Sequence, residues 1–376
     1  MGDLGPVAES NGRTDQLRVL LMSNMYPSAS EPGYGSFVAR QERRLAAEHG
    51  VSFRRVVSSR RGEGSANLVK YGGLLLRTLA ATARGGFDLV HAHYLLPVAA
   101  FALIPCVVRG KPLVITAHGT DIYSGRRPFW HPHIVRALRR ASRVQVVSEF
   151  LGRELVDGFG ALPPGRLFVA DMGVDTELFT PGDASAAKAA RGLPLGVPHL
   201  LFVGNFVEQK GVTDLAEALV ALRERGVDFR ATLLGHGPLD ERVRATISSA
   251  GDSVSIAGVV PHAQLVDVFR SADLFVLPSR REGVGLLVCL EALSCGVPVA
   301  AGRAGGLPEI VHDGQNGVLL EPGEPARIAD TIEQLLGDPE RLAELAARAR
   351  PSALAHDERV QAAKVAAAYW EVTGRT

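Results

Sequence analysis

Short apolar runs alternate with helix-like stretches along the first half of the chain. The runs are Leu17–Met22, Val51–Val57, Asp88–His93, Pro112–His118, Arg143–Ser148 and Arg166–Ala170. Continuous apolar runs of about four to eight residues are typical of strands that a parallel sheet buries on both faces. Because longer helical patterns separate them, the first half is predicted to form a doubly wound α/β domain.

The same pattern restarts after a stretch rich in proline and glycine, residues 181–198, which we interpret as an interdomain linker. The runs that follow are Leu200–Val203, Ala231–Leu234, Val254–Ile256, Asp273–Leu277, Val297–Ala301 and Val318–Leu320. Two α/β domains facing a cleft are therefore predicted. Their bounds are a polar tail over 1–16, domains over 17–187 and 188–350, and a C-terminal helix over 351–376 that crosses back to the first domain.

Composition narrows the class of protein. Hydrophobic residues make up 46% of the 376 residues, and 41 Lys+Arg against 40 Asp+Glu give a net charge of +1. These values exclude a disordered chain and argue against a dedicated nucleic-acid binder. Three cysteines without Cys-x-x-Cys spacing argue against a zinc site or a disulfide framework, and they favour a cytoplasmic protein.

No segment of the sequence is predicted to span a membrane. The longest apolar stretch, Tyr94–Val108, has 15 residues and contains Pro97 and Pro105. A membrane span needs about 20 apolar residues. We therefore interpret this stretch as a buried helix.

Several common nucleotide and metal motifs are missing. The turn after the first run lacks Gly-x-Gly-x-x-Gly, and the loop over 204–211 has Gly211 where a Walker A loop has Ser or Thr. The sequence also lacks His-Glu-x-x-His, Gly-x-Ser-x-Gly and Asp-x-Asp. The sequence thus lacks the usual motifs of dinucleotide-binding proteins, P-loop proteins, serine hydrolases and metal-dependent enzymes. No metal site is predicted.

Four segments at predicted strand ends carry the strongest functional signal. They are Pro27–Gln41, Thr116–Asp121, Phe202–Gly211 and Pro278–Pro298. Together they resemble the family 4 retaining glycosyltransferases of the GT-B fold, over about Leu17 to Trp370. The resemblance implies an α/β GT-B fold of two Rossmann-like domains, the first binding an acceptor and the second a nucleotide-sugar donor.

Segment Pro278–Pro298 resembles the Glu-x7-Glu motif of that family. The resemblance implies that Glu282 contacts the donor sugar as a catalytic residue and that Glu291 binds the ribose hydroxyls. This chain has eight residues between the two glutamates, one more than the motif. A loop running into a helix N-terminus suits an anion. The backbone there is expected to bind the donor diphosphate, through Gly283, Val284, Gly285, Leu286 and Leu287.

In segment Phe202–Gly211 the family has an arginine and a lysine that clamp the diphosphate. Lys210 matches the lysine, whereas Asn205 stands at the arginine position. An amide can donate a hydrogen bond but carries no charge. We therefore expect Asn205 and Lys210 to contact the donor, and Arg281 is a candidate for the second cation.

The resemblance also implies roles for residues in four other loops. His118 is expected to be catalytic, hydrogen-bonding the transferred sugar, while Asp121 caps the next helix or holds His118. Gly35 is expected to let the backbone approach the diphosphate. Val260 is predicted to frame the base, and Gly235 is a weaker donor-site candidate.

These features predict a metal-independent retaining glycosyltransferase without a cofactor. The co-substrate is a nucleotide-diphosphate sugar, with UDP as first choice and GDP as second. The acceptor is a small molecule, a glycan or a lipid-linked molecule. A nucleotide-sugar epimerase of the same architecture and a degenerate sugar-nucleotide-binding subunit remain as alternatives. A phosphorylase-like enzyme is disfavoured because the chain is short.

Two arginine clusters raise the question of membrane contact. They are Arg40/Arg43/Arg44 and Arg136/Arg139/Arg140/Arg143. Such clusters attract anionic lipid, but the sequence shows no apolar anchor beside either one. We therefore expect the protein to associate at most weakly with the inner face of the membrane, in a manner that depends on salt.

Overall fold

The computed structural model describes residues 16–60, 66–160, 162–281 and 286–375. The strands are β1 (Leu17–Ser23), β2 (Val51–Val57), β3 (Leu89–His93), β4 (Leu113–Ala117), β5 (Arg143–Val146), β6 (Leu167–Val169), β7 (His199–Val203), β8 (Arg230–Leu234), β9 (Val254–Ala257), β10 (Leu274–Leu277), β11 (Val299–Gly302) and β12 (Gly317–Leu320).

The helices of the first half are α1 (Ser36–Glu48), α2 (Ala66–Arg84), α3 (Ala100–Arg109), α4 (Thr120–Gly125), α5 (His131–Arg140) and α6 (Glu149–Phe159). Those of the second half are α7 (Ala184–Ala190), α8 (Val212–Glu224), α9 (Asp240–Ile247), α10 (Leu265–Arg270), α11 (Leu286–Ser294), α12 (Pro325–Leu336), α13 (Pro339–Leu354) and α14 (Glu358–Thr373). None of the helices in these ranges is both long enough and apolar enough to cross a membrane.

The strands form two parallel six-stranded sheets, which confirms the predicted doubly wound α/β class. The order is β2-β1-β3-β4-β5-β6 in the first sheet and β12-β11-β10-β7-β8-β9 in the second. The order reverses between β1 and β3 and again between β7 and β10. Ligands of such sheets bind beyond the carboxyl ends of the strands at these points of reversal. The loops after β1, β3, β7 and β10 are therefore the first places to look for a site.

The first sheet is covered on both faces, and the last helix supplies part of one cover. Alternate residues of a strand point to opposite faces. In β1, Leu20 belongs to the large apolar core, whereas Val19 packs in a second cluster with Val365 and Tyr369 of α14. The chain thus returns to its first half at α14. The exact domain boundaries given above stay predictions.

One local expectation is refined by the structure, and another is wrong. The stretch over 181–198 contains helix α7, whose first turn is capped by Asp183 Oδ1 accepting from Ala186 N at 2.9 Å. Alanine has the highest helix propensity, so this short segment folds in spite of the flanking breakers. The predicted buried helix over Tyr94–Val108 is also not buried throughout, because Val107 and Val108 in α3 are each 65% exposed.

Candidate functional site

The loops after β7 and β10 pack tightly against each other at the reversal point of the second sheet. Gly211 ends the turn that carries Lys210, and it has a φ of +66°. A Cβ there would lie 2.1 Å from the carbonyl oxygen of Pro278. The backbone N–H groups of Arg280 and Arg281 donate to Gln209 O, at 2.9 and 3.3 Å. The two segments predicted to clamp the diphosphate are thus held as one unit.

Gly235 performs a similar packing role beside Asn205. Its φ is +150°, and a Cβ would lie 1.9 Å from the carbonyl oxygen of Gly204. Phe206 N donates to His236 O at 2.9 Å across the same contact. Asn205 is exposed and Lys210 half-buried. The structure therefore brings Asn205, Lys210 and Gly235 to one edge, with Gly235 positioning the backbone.

Arg281 follows β10, and its side chain is exposed. Burial raises the pKa of Tyr123, a residue of α4, and the positive charge of Arg281 acts in the opposite direction. Arg281 is therefore close enough to Tyr123 of the first domain for its charge to act on that residue. Its assignment as the second cation stays a prediction.

Four predicted site residues fall outside the described part of the chain: Glu282, Gly283, Val284 and Gly285. Their roles stay predictions. Immediately after them, Leu286 and Leu287 lie in the first turn of α11. Backbone N–H groups in the first turn of a helix have no partner within the helix. The placement of Leu286 and Leu287 therefore suits an anion.

Glu291 lies one turn further along α11 and is buried. Its Oε1 lies 2.7 Å from His262 Nε2. Val260, half-buried, lies two residues before His262. The predicted ribose-binding and base-framing residues thus occupy one corner of the second domain. His262 belongs to that corner, although no role was predicted for it.

In the first domain, His118 follows β4 and is buried among aromatic rings. Its ring centroid lies 4.5 Å from that of Tyr94 and 5.1 Å from that of Phe37. His118 Nε2 lies 3.2 Å from Nδ1 of His93, at the end of β3. Asp121 Oδ1 accepts from the backbone N–H groups of His118 and Gly119, at 3.0 and 2.8 Å. Asp121 therefore fixes the His118 loop through its backbone.

These histidines are neutral in the folded protein. Burial lowers the pKa of His118 and of His91 to about 3, and lowers the pKa of His93 well below its usual range. Protonation of a neighbouring histidine would lower the pKa of His91 and of His93 further. At neutral pH, His118 can therefore donate or accept a hydrogen bond but does not supply a positive charge.

The histidine cluster predicts acid sensitivity. The pKa values of these histidines in the folded protein lie below the unfolded value of about 6.5. The stability linked to the neutral histidines is therefore complete above pH 6.5 and decreases as the pH falls towards 3. We expect the free energy of unfolding to fall between pH 6.5 and 5, by up to about 1.4 kcal/mol per pH unit for each such histidine. Denaturant titrations across that range measure the slope.

A variant and a control separate this effect from general acid lability. His118→Asn should reduce the slope of stability against pH, whatever it does to stability at pH 7.5. His133→Gln, at an exposed position of α5, should leave the slope unchanged. Equal slopes for His118→Asn and the unmodified protein would contradict the prediction.

A cavity at the domain interface joins the two halves of the site. Phe37, His118 and Val147 line it from the first domain, and Leu286, Leu287 and Leu290 of α11 line it from the second. It offers about 30 Å³ of space that the centre of a water-sized sphere can occupy. His118 and the start of α11, far apart in sequence, therefore face each other across one space.

The glycine loop after β1 leads into this interface. Gly35 has a φ of +72°, and a Cβ would lie 2.5 Å from the backbone carbon of Met25. Helix α1 then begins at Ser36 with Phe37 against the cavity. Gly35 is thus required for the sharp approach of α1 to the cleft, while its predicted contact with the diphosphate stays a prediction.

Helix α1 also corrects the expectation for the first arginine cluster. Arg40 is buried, and its Nη1 lies 3.2 Å from His262 Nε2 and 3.8 Å from Glu291 Oε1. Arg44 Nε donates to Glu358 Oε1 of α14 at 2.5 Å. The helical spacing does place Arg40 and Arg44 on one face, but that face packs on carboxylates of distant segments. Arg40 and Arg44 are therefore not a free lipid-docking patch.

A second contact between the domains involves Glu309. Its Oε2 accepts from Glu149 N at 2.8 Å, and its Oε1 accepts from Phe150 N at 2.6 Å. A carboxylate at a helix N-terminus is favourable because it satisfies free N–H groups and the helix dipole. Glu309 of the second domain therefore caps α6 of the first. Sequence reasoning missed it because the partners are 160 residues apart.

Two family models and several known proteins match the chain. Residues 183–352 match the family described as Glycosyl transferases group 1, and residues 34–178 match Glycosyltransferase Family 4. A D-inositol 3-phosphate glycosyltransferase from Acidothermus cellulolyticus is 34% identical over 333 residues, which are 81% of this chain and 72% of that protein. A D-inositol 3-phosphate glycosyltransferase 1 from Catenulispora acidiphila is 35% identical, over 71% of this chain and 68% of that protein.

Solved structures show the same fold. A sucrose-phosphate synthase from Thermosynechococcus elongatus superposes with a TM-score of 0.80 at 21% identity, covering 95% of this chain and 99% of the other. The Anabaena protein HepE, in complex with UDP-glucose, gives a TM-score of 0.74 at 20% identity, covering 93% and 98%. At such identities the likeness extends to the GT-B fold and no further.

Proposed function

Since this chain belongs to the family 4 glycosyltransferases, we propose that it transfers a sugar from a nucleotide-diphosphate sugar to an acceptor hydroxyl with retention of configuration. The observation that supports this most directly is the cavity shared by His118 and the first turn of α11. The Lys210 turn lies at the adjoining strand end, where the order of the second sheet reverses. The donor would thus be held by the second domain with its sugar towards the first.

The chain's own groups can stabilise the leaving diphosphate. The Lys210 ammonium and the free N–H groups at the start of α11 would face the negative charge that develops as the bond to the sugar breaks. Neutral His118 would hydrogen-bond the sugar beside its reacting carbon. In the proposed front-face reaction, the acceptor oxygen bonds to that carbon on the face that the phosphate leaves. The acceptor proton passes to the departing phosphate oxygen.

Two further choices concern the substrates. UDP is the first nucleotide to test and GDP the second, and a HepE structure with UDP-glucose supports that order. The relatives named as D-inositol 3-phosphate glycosyltransferases make D-inositol 3-phosphate the first acceptor to test.

The test of the proposed function has two stages. A thermal-shift screen of UDP, GDP and their sugars comes first, because a ligand that binds only the folded state raises the melting temperature. Nucleotide release is then measured with and without acceptor. Release that requires an acceptor supports the transferase, whereas sugar isomerisation without release supports the epimerase. Binding with neither reaction supports the binding subunit.

The proposed reaction is also independent of a metal ion. In the ranges that the structure describes, no group of three or more His, Cys, Asp or Glu side chains could hold one. Lys210 and the α11 N-terminus would stabilise the negative charge of the diphosphate, as a metal cation does in metal-dependent enzymes. We expect turnover in excess EDTA to equal turnover with added Mg²⁺ or Mn²⁺. Loss of turnover in EDTA, restored by either ion, would contradict this.

A further inference from the structure

Helices α2, α3 and α5 form one packed layer on the first domain, and the composition of this layer is unusual. Helix α3 packs against both α2 and α5. The sequence from 66 to 140 contains only two carboxylates, Asp88 and Asp121, and both are buried. The same helices expose six arginines: Arg77, Arg84, Arg109, Arg136, Arg139 and Arg140. This layer, here called the α2/α3/α5 face, therefore has a positive charge that no exposed carboxylate of residues 66–140 offsets.

Large aliphatic side chains lie exposed on the same face. Leu68 is 80% exposed and Leu76 68% exposed on α2, while Val107 and Val108 are each 65% exposed on α3. Leu68, Leu76 and the 46% exposed Leu79 are spaced by eight and three residues, which places them on one side of α2. Exposed aliphatic groups that are clustered, unlike scattered ones, mark an interaction surface.

The charged and aliphatic groups are direct neighbours where α3 meets α5. Val107 and Leu103 line one surface groove together with Arg136, Arg139 and Arg140. No ion pair involves these three arginines among the described residues. The apolar anchor that the sequence lacked beside the second arginine cluster is thus supplied by α3, about 30 residues earlier in the chain.

We propose that the α2/α3/α5 face docks on an anionic lipid surface. Arginines attract anionic headgroups, and aliphatic side chains beside them enter the boundary between headgroups and acyl chains. A second copy of the chain fits less well, because a symmetric contact would place the arginines of both copies together. A nucleic acid fits less well because contacts with phosphates would use the arginines and leave the exposed leucines and valines without a partner.

The proposal differs from simple electrostatic adsorption in its dependence on salt. Screening at about 0.15 M salt weakens the contribution of the arginines. Inserted valine and leucine side chains are not screened. We therefore expect binding to weaken between low and physiological salt but to persist there.

Vesicle flotation of the full chain tests the proposal. The probes are vesicles of phosphatidylcholine alone and of phosphatidylcholine with about a third phosphatidylglycerol. We expect a preference of at least about tenfold for the anionic vesicles at low salt. The double variant Val107→Ser, Val108→Ser should lower partitioning by about tenfold at physiological salt. The triple variant Arg136→Gln, Arg139→Gln, Arg140→Gln should remove the preference for anionic vesicles.

Matched controls lie on the second domain. Val259→Ser changes a valine that is 69% exposed, and Arg348→Gln changes an exposed arginine of α13. Both should float like the unmodified protein. Circular dichroism and melting of every variant confirm that the fold is intact.

Three results would overturn the proposal. The first is that the unmodified chain does not float with anionic vesicles at low salt. The second is flotation that the double serine variant leaves unchanged, because this means adsorption without insertion. The third is a dimer in sedimentation velocity that the same variant dissociates, because a second copy then covers the face. Flotation does not depend on turnover, so a failure of the proposed transferase activity would be seen separately.

Discussion

Replacing Lys210 with alanine is expected to lower kcat/KM for the nucleotide-sugar donor by about one to two orders of magnitude. Lys210 lies in the turn between β7 and α8. Asn205 stands at the position where the family has an arginine, and its amide supplies no second positive charge. Removing the lysine therefore takes away a charge-assisted contact worth about 1.5–3 kcal/mol. Initial rates at subsaturating donor measure the loss.

A matched lysine provides the control. Lys364 is exposed on α14, where its Nζ donates to Gln361 Oε1 at 3.0 Å within the same helix. Lys364→Ala should have unchanged kinetics. Lys210→Arg, which keeps the charge, should recover part of the activity. Unchanged rates for Lys210→Ala, with full melting temperature, would remove Lys210 from the donor site.

The second large effect is expected at Gly211. Alanine there meets two penalties: a left-handed φ, which costs about 1–2 kcal/mol, and a Cβ 2.1 Å from Pro278 O. The second contact forces the loops after β7 and β10 apart, at a further cost of about 1–3 kcal/mol. We expect Gly211→Ala to lower the melting temperature by at least about 5 °C and to abolish the donor-induced thermal shift.

Gly226, at the other end of α8, separates the two penalties. Its φ is +79°, and nothing lies within 4 Å of a Cβ built there. Gly226→Ala therefore has the backbone strain without the clash. It should melt slightly below the unmodified protein and keep its donor response. Equal effects of the two substitutions would show that the close approach to Pro278 has no importance.

The sequence predicted features that depend on neighbouring residues in the chain. Buried strands such as β1 and β7 are recognisable because a parallel sheet covered on both faces requires continuous apolar runs. Strand ends then locate Lys210 and His118, since ligands collect at those ends. At these positions the local pattern and the tertiary structure require the same residue types.

Features that depend on distant partners could not be predicted in this way. The spacing of Arg40 and Arg44 predicts only a shared helical face, and the partners that cover it are 222 and 314 residues away. The apolar neighbour of Arg136 could not be predicted for the same reason, because Val107 belongs to another helix. The exposed end of α3 was missed because an apolar run looks alike whether water or protein surrounds it.

The return of α14 to the first sheet also has a consequence for biosynthesis. One face of that sheet, including Val19 and Leu89, packs with Val365 and Tyr369. At about 5–20 residues per second, a ribosome needs about 10 to 40 seconds to pass from β6 to the end of α14. During that interval the first half has all of its strands but leaves an apolar face open. This nascent half is therefore a natural client for a chaperone, whereas the second half can fold from a contiguous stretch of chain.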